Sequence, residues 1–177
     1  MLSVRILSRK RFLTKKGGIF VCELFGISAT RQYDITSYLK EFFGHSSIHC
    51  HGWGTAFFDR GDVQIEKETV QASKSEKIKK LLSNPVQTDR MFAHIRYATI
   101  GNVDIENCHP YSGKSAYGRT FTLIHNGTIW DYPPLEKYIH YQKGETDSER
   151  REAWQGTHCK RTFRFIRLLN CTNGKRK

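Results

Sequence analysis

The 177-residue sequence predicts one mixed domain of strands and helices, and three observations carry that prediction. Strand-length apolar or alternating runs recur along the chain. Two stretches of helical spacing separate some of them, and clusters of Gly, Asn, Asp and Pro punctuate the joints. A chain of this length supports one sizeable core and is short for two. The order of elements suits either an α/β or an α+β arrangement, and the pattern by itself leaves both open.

The first strand is read at residues 22–29 (CELFGISA), an apolar run that ends in small residues. Residues 34–43 follow as a helix, because Ile35, Tyr38, Leu39, Phe42 and Phe43 recur at three- and four-residue intervals, with Gly44 as the stop. The segment 51–59 (HGWGTAFFD) and the period-two run 63–70 (VQIEKETV) read as strands joined through Arg60, Gly61 and Asp62. Ser73 and Glu76 have the spacing of a capping box and open a helix through Leu82, which Asn84 and Pro85 end. Two more strands are read at 91–98 (MFAHIRYA) and 120–126 (TFTLIHN), separated by a long loop containing Asn107, His109 and Pro110. There is no internal repeat or low-complexity tract.

The net charge of +12 raises the question of nucleic acid, and its distribution answers it. Residues 1–21 carry +6 and residues 151–177 carry +7, which leaves −1 on residues 22–150. A nearly neutral body has no electrostatic footprint for a phosphate backbone, so no nucleic-acid partner is expected. No apolar run approaches the roughly 20 residues of a membrane span, and no membrane partner is expected either. The five cysteines (22, 50, 108, 159, 171) are odd in number and lack a CxxC pair, which fits a reducing, cytoplasmic setting. His49, Cys50 and His51 are sequence neighbours rather than spaced pairs and are read as ordinary strand or loop residues, with no metal or cofactor. Residues 1–21 are Arg-rich and acid-free, as a mitochondrial transit peptide also is, and lack the apolar stretch of a secretory signal.

Four segments stand out for chemistry: residues 22–27 (CELFGI), 94–99 (HIRYAT), 125–127 (HNG) and 144–149 (GETDSE). Taken singly, each has an ordinary explanation. Cys22 could be a small core residue, Asn126-Gly127 a hairpin turn, Arg96 a surface residue, and Thr146-Asp147 a helix start. Together and in this order, with HGWG at 51–54 and NCHPY at 107–111, they resemble the class II glutamine amidotransferase domain, especially its small stand-alone bacterial members. The resemblance runs from Cys22 to about Arg150.

That resemblance implies an α+β fold, the four-layer αββα sandwich of the N-terminal-nucleophile hydrolases, incomplete at its C-terminal end. It implies that Cys22 is the first residue of the mature chain and attacks the glutamine side-chain amide, with its own α-amine as base. A thiol needs such help because only a few per cent is thiolate at pH 7. Asn126 and Gly127 match the oxyanion-hole donors. Arg96 and Asp147 match the residues that hold the substrate's α-carboxylate and α-ammonium, supported by Thr99, and the planar guanidinium suits a carboxylate. Trp53 and Gly54 match a segment lining the site near the nucleophile, and His51 is assigned no role. Arg96→Ala and Asp147→Ala are expected to weaken glutamine binding far more than folding.

The expected activity is hydrolysis of L-glutamine to glutamate and ammonia through a thioester. The alternatives are an amidase or peptidase acting on a γ-glutamyl compound, and a truncated, non-catalytic copy. Partners would be the glutamine or γ-glutamyl substrate and either a second copy of the chain or a separate ammonia-acceptor subunit. The domain is bounded at 22–150. Residues 1–21 are read as a basic extension absent from the mature enzyme, and 151–177 as a divergent basic tail that leaves the chain poorly stable.

Overall fold

The protein is represented by a computed structural model that describes residues 22–60, 62–98, 101–114, 118, 120–126, 143–146 and 168–170. Its architecture follows from which strands are apolar on both faces. Met91 to Ile95 are all buried, as are Leu24 to Ile27 and Trp53 to Ala56, whereas Asp62–Glu68 alternates between exposed and half-buried residues. A strand with continuous burial must be covered on both sides, and an alternating one sits nearer solvent. Strands β1 (Glu23–Asp34), β2 (Trp53–Asp59), β3 (Asp62–Glu68) and β4 (Gln87–Ile95) accordingly form an antiparallel sheet of order β1-β4-β2-β3. The alternating β3 is one edge of that sheet, and β4, buried continuously from Met91 to Ile95, lies inside it.

One face of the sheet is covered by two helices, α1 (Thr36–Gly44) and α2 (Glu76–Leu82). Leu39, Phe42, Phe43 and Ile78 from the helices pack with Phe25, Ile27, Trp53, Met91, Ala93 and Ile95. On the other face Leu24, Ala56 and Phe92 meet Ile124. Ile124 belongs to a second sheet of β5 (Tyr111–Lys114), β6 (Thr120–Asn126) and β7 (Leu168–Asn170). Strands β5 and β6 pair antiparallel, β6 and β7 parallel. The result is an α+β domain of antiparallel-rich sheets with few helices, the class that the sequence resemblance implies.

Several boundaries differ from the sequence expectation for identifiable reasons. The Ser73–Glu76 capping box does not form. Residues 72–74 are a 3₁₀ turn, the Ser73 N–H donates to Ser46 Oγ at 3.0 Å, and Ser75, in extended conformation, accepts from the Ile78 N–H at 3.3 Å. Helix α1 starts at Thr36, whose N–H donates to Asp34 Oδ1 at 2.9 Å. It includes Gly44 rather than stopping before it. Strand β1 runs five residues past Ala29 because Tyr33 and Asp34 pair with Thr88 and Gln87, and the same pairing starts β4 at Gln87. That extension is mostly exposed, so apolar patterning does not register it. The four-residue β5 lies in what reads as a loop, and β7 lies in what reads as the divergent basic tail.

Candidate functional site

The site forms where β4 ends. In the β1–β4 register Glu23 faces Ile95, so the next pair outward is Cys22 and Arg96. On the other flank the β2–β4 register pairs Trp53 with Ile95, and the Arg96 N–H donates to Gly52 O at 2.8 Å. The His51 N–H in turn donates to Arg96 O at 3.0 Å. Central-strand position thus brings residues 22, 51–52 and 96 into one row although they are up to 74 positions apart in sequence.

Cys22 is half-buried, and its thiol is in no disulfide. The Tyr97 N–H points at its Sγ at 3.4 Å, and Tyr97 O accepts from the thiol at the same distance. The Tyr97 peptide thus holds the sulfur in place at the end of β4 whether it is protonated or not. Asn126, the last residue of β6 and 6% exposed, donates from its side-chain amide to Cys22 O. An amide NH₂ has two donors, and this bond uses one of them. Asn126 is thereby fixed against Cys22 itself.

Arg96 is 3% exposed, far from the surface residue that composition alone would allow. Its Nη1 donates to Asn102 O at 2.9 Å. His51 holds the turn that follows, with Nδ1 accepting the Ala98 N–H at 2.9 Å and its ring 5.0 Å from that of Tyr97. Backbone bonds from His51 and Gly52, and one side-chain bond from His51, therefore fix the three residues that orient the thiol and the guanidinium. The sequence reading missed this role for His51, because its partner lies 47 residues away and no local pattern connects them.

Around this row the polar groups are deeply buried. His94, two residues before Arg96 on β4, has its pKa lowered to about 3, chiefly by burial and then by the Arg96 charge. His109 is held well below the ordinary histidine range, again by burial first and then by His94. The two rings meet edge to face at 4.6 Å. Burial pushes the Cys108 thiol up to about 11, so that cysteine is an inert neighbour, in contrast to half-buried Cys22. Among the described residues no group of three or more His, Cys, Asp or Glu is arranged to hold a metal.

Of the expected site residues, Cys22, Arg96 and Asn126 come together as described. Trp53 does not join them. Its indole is 1% exposed and packs in the helix-facing core, edge-on to Phe43 at 6.3 Å. Strand alternation explains this, since Trp53 pairs with Ile95 and shares its core-facing side. Gly54 lies under the NCHPY segment, where a Cβ would collide with His109 O. Thr99, Gly127 and Asp147 lie outside the described residues.

A thiol held by backbone N–H donation, beside a fixed carboxamide and a buried guanidinium, is equipment for attacking a carbonyl on a substrate with an anionic group. Comparison with known proteins gives that class its family. The model of the class II glutamine amidotransferases matches residues 21–154, and the chain belongs to that family. It is 36% identical to YafJ of Escherichia coli over 138 residues, covering 76% of this chain and 53% of that protein. It is 33% identical to an uncharacterized protein of Methanocaldococcus jannaschii, covering 73% and 36% respectively. It is also 29% identical to the glutamine–fructose-6-phosphate aminotransferase of Francisella tularensis, covering 73% and 21%. The chain therefore spans about half or less of the length of these relatives.

Proposed function

We propose that the protein hydrolyses the side-chain amide of L-glutamine to glutamate and ammonia, with Cys22 as the nucleophile, in a four-layer αββα sandwich of the N-terminal-nucleophile type. The observation that carries this reading is the Cys22 thiol at 3.4 Å from the Tyr97 N–H, with the Asn126 amide on the same residue's carbonyl and Arg96 next in the chain to Tyr97. The thiol proton passes to the α-amine of Cys22, and sulfur adds to the amide carbon. Asn126 and Gly127 stabilise the oxyanion, a contribution of roughly 3 to 4 kcal/mol per donor. The carbon–nitrogen bond then breaks, the leaving nitrogen takes the proton as ammonia, and water hydrolyses the thioester. Arg96 holds the α-carboxylate, and Asp147, with Thr99, the α-ammonium.

An α-amine bonded to Val21 has no basic lone pair, so the active chain begins at Cys22. The ammonia acceptor, where there is one, is carried outside the matched residues 21–154, on a separate subunit or another domain. An odd number of cysteines without a CxxC pair fits work in the cytoplasm.

The test is ammonia release from L-glutamine by the chain beginning at Cys22, beside Cys22→Ala. Activity that disappears in the variant is expected. Turnover of γ-glutamyl peptides without turnover of glutamine would replace the substrate, and full activity in a species still carrying Val21, read by intact mass, would remove the α-amine as base.

A further inference from the structure

The NCHPY segment contains a buried polar side chain that the proposed chemistry does not use. Asn107 is 1% exposed, and both ends of its amide are engaged. Its Nδ2 donates to Asn102 O at 3.0 Å, and its Oδ1 accepts the Glu145 N–H at 2.7 Å. The ring then closes through the Glu145 carboxylate, whose Oε2 accepts the Asn102 N–H at 2.9 Å and whose Oε1 accepts from Asn102 Nδ2 at 3.3 Å. Asn102 O is also the acceptor for Arg96 Nη1, so the ring is anchored on the guanidinium. Close packing leaves it little slack. A Cβ on Gly144 would collide with Asn107 Oδ1, and Gly101, at φ +74°, would place a Cβ 3.1 Å from Asn107 Nδ2. One residue further on, Thr146 Oγ1 and Tyr111 Oη share a buried hydrogen bond of 2.8 Å.

We infer that Asn102, Asn107 and Glu145 form a positioning latch that makes the site specific for an α-amino acid. The inference rests on the glutamine-binding reading above. The latch ties the Arg96 end of the site to the segment 143–146, which runs directly into Asp147 in sequence. Recognition of a zwitterion requires an anion grip and a cation grip at one fixed spacing, and misplacement of about 1 Å is enough to lose most of the benefit. Hydrogen bonds in a closed, partly buried ring set that spacing more firmly than the same bonds made singly. None of the three residues touches the substrate in this account; they act through Arg96 and through the chain entering Asp147.

The test uses the full chain carrying Cys22→Ala, titrated by calorimetry with L-glutamine and with glutaramate, the same molecule lacking the α-amino group. Glu145 is exposed, so Glu145→Ala leaves the core intact. It is expected to weaken L-glutamine by about tenfold while changing glutaramate by less than about twofold, so that the preference between them collapses. Glu145→Gln, which still offers an oxygen to the Asn102 N–H, restores most of the preference. An unchanged preference in Glu145→Ala, or a Glu145→Gln variant no better than Ala, overturns the latch and leaves the glutamine site standing. A parent chain that binds neither compound overturns both.

Discussion

His51 acts through one ring nitrogen. Nδ1 accepts the Ala98 N–H, and with it the residues that present the Tyr97 N–H to the thiol are held in place. Replacement by Phe keeps a ring beside Tyr97 and removes the acceptor, whereas Asn keeps an acceptor at the same distance from the backbone and removes the ring. Alkylation of Cys22 by iodoacetamide is therefore expected to slow by roughly fivefold in His51→Phe, the worth of about one hydrogen bond, and to stay near the parent rate in His51→Asn. Equal rates in the Phe variant and the parent would show that Tyr97 needs no such support. Arg96 calls for a revised expectation. A surface arginine could be truncated at little cost to folding, but this one is 3% exposed and bonded to Asn102 O. Arg96→Ala is expected to lower the thermal midpoint as well as glutamine affinity, by a few kcal/mol in stability, while Arg96→Lys keeps charge and loses the planar fork. A melting curve for Arg96→Ala that overlays the parent would contradict the burial. Cys22, Arg96 and Asn126 stood out in the sequence only because the short segments that carry them occur together in one order. His51 and Asn107 did not, since their roles come from partners 47 and 38 positions away.

At the scale of elements, legibility followed burial. The strands that carry continuous apolar runs were recognisable near their true positions. The exposed continuation of β1, the four-residue β5 with its Ser and Gly, and β7 were not, because backbone pairing rather than apolar pattern makes them strands. The α2 cap shows the same limit at one position: Ser73 has the spacing, but Ser75 has the extended backbone that a cap requires. Glycines separate the two kinds of constraint. Gly54 on β2 lies so close to the NCHPY segment that a Cβ would meet His109 O, a backbone atom that cannot swing aside. Gly44, the last residue of α1, has φ −58° and open space around its Cα. Gly54→Ala is expected to destabilise by about 1 to 3 kcal/mol or more, and Gly44→Ala to stabilise by about 0.5 to 1 kcal/mol. Urea denaturation of the two variants reads both effects at once. A Gly54→Ala protein as stable as the parent would mean that a Cβ on β2 finds room beneath the NCHPY segment.

At the scale of the molecule, burial of histidine beside the β1–β4 sheet links the fold to pH. His94 and His109 meet edge to face, and neither ring nitrogen of either residue has a hydrogen-bond partner among the described residues. The charges that bear on them all oppose protonation: Arg96 and Lys67, with His49 and His125 when those are protonated. Burial first, and these charges second, depress both pKa values, to about 3 for His94, against about 6.5 in the unfolded chain. Above pH 6.5 the two residues are neutral in both states and their contribution to stability is fully present. Below it the unfolded chain takes up protons that the folded chain refuses, so stability is lost as pH falls toward 3. The loss is up to about 1.4 kcal/mol per pH unit for each histidine. Ordinary carboxylates, with pKa values of about 3.9 to 4.3, are still mostly ionised at pH 5, which leaves the interval from 6.5 to 5 mainly to histidine. The urea midpoint is expected to fall steadily across that interval, and His94→Phe to flatten the slope whatever it does to the midpoint at pH 7. A midpoint constant from pH 7 to pH 5 would mean that these imidazoles accept protons without unfolding, and that water reaches the space between them.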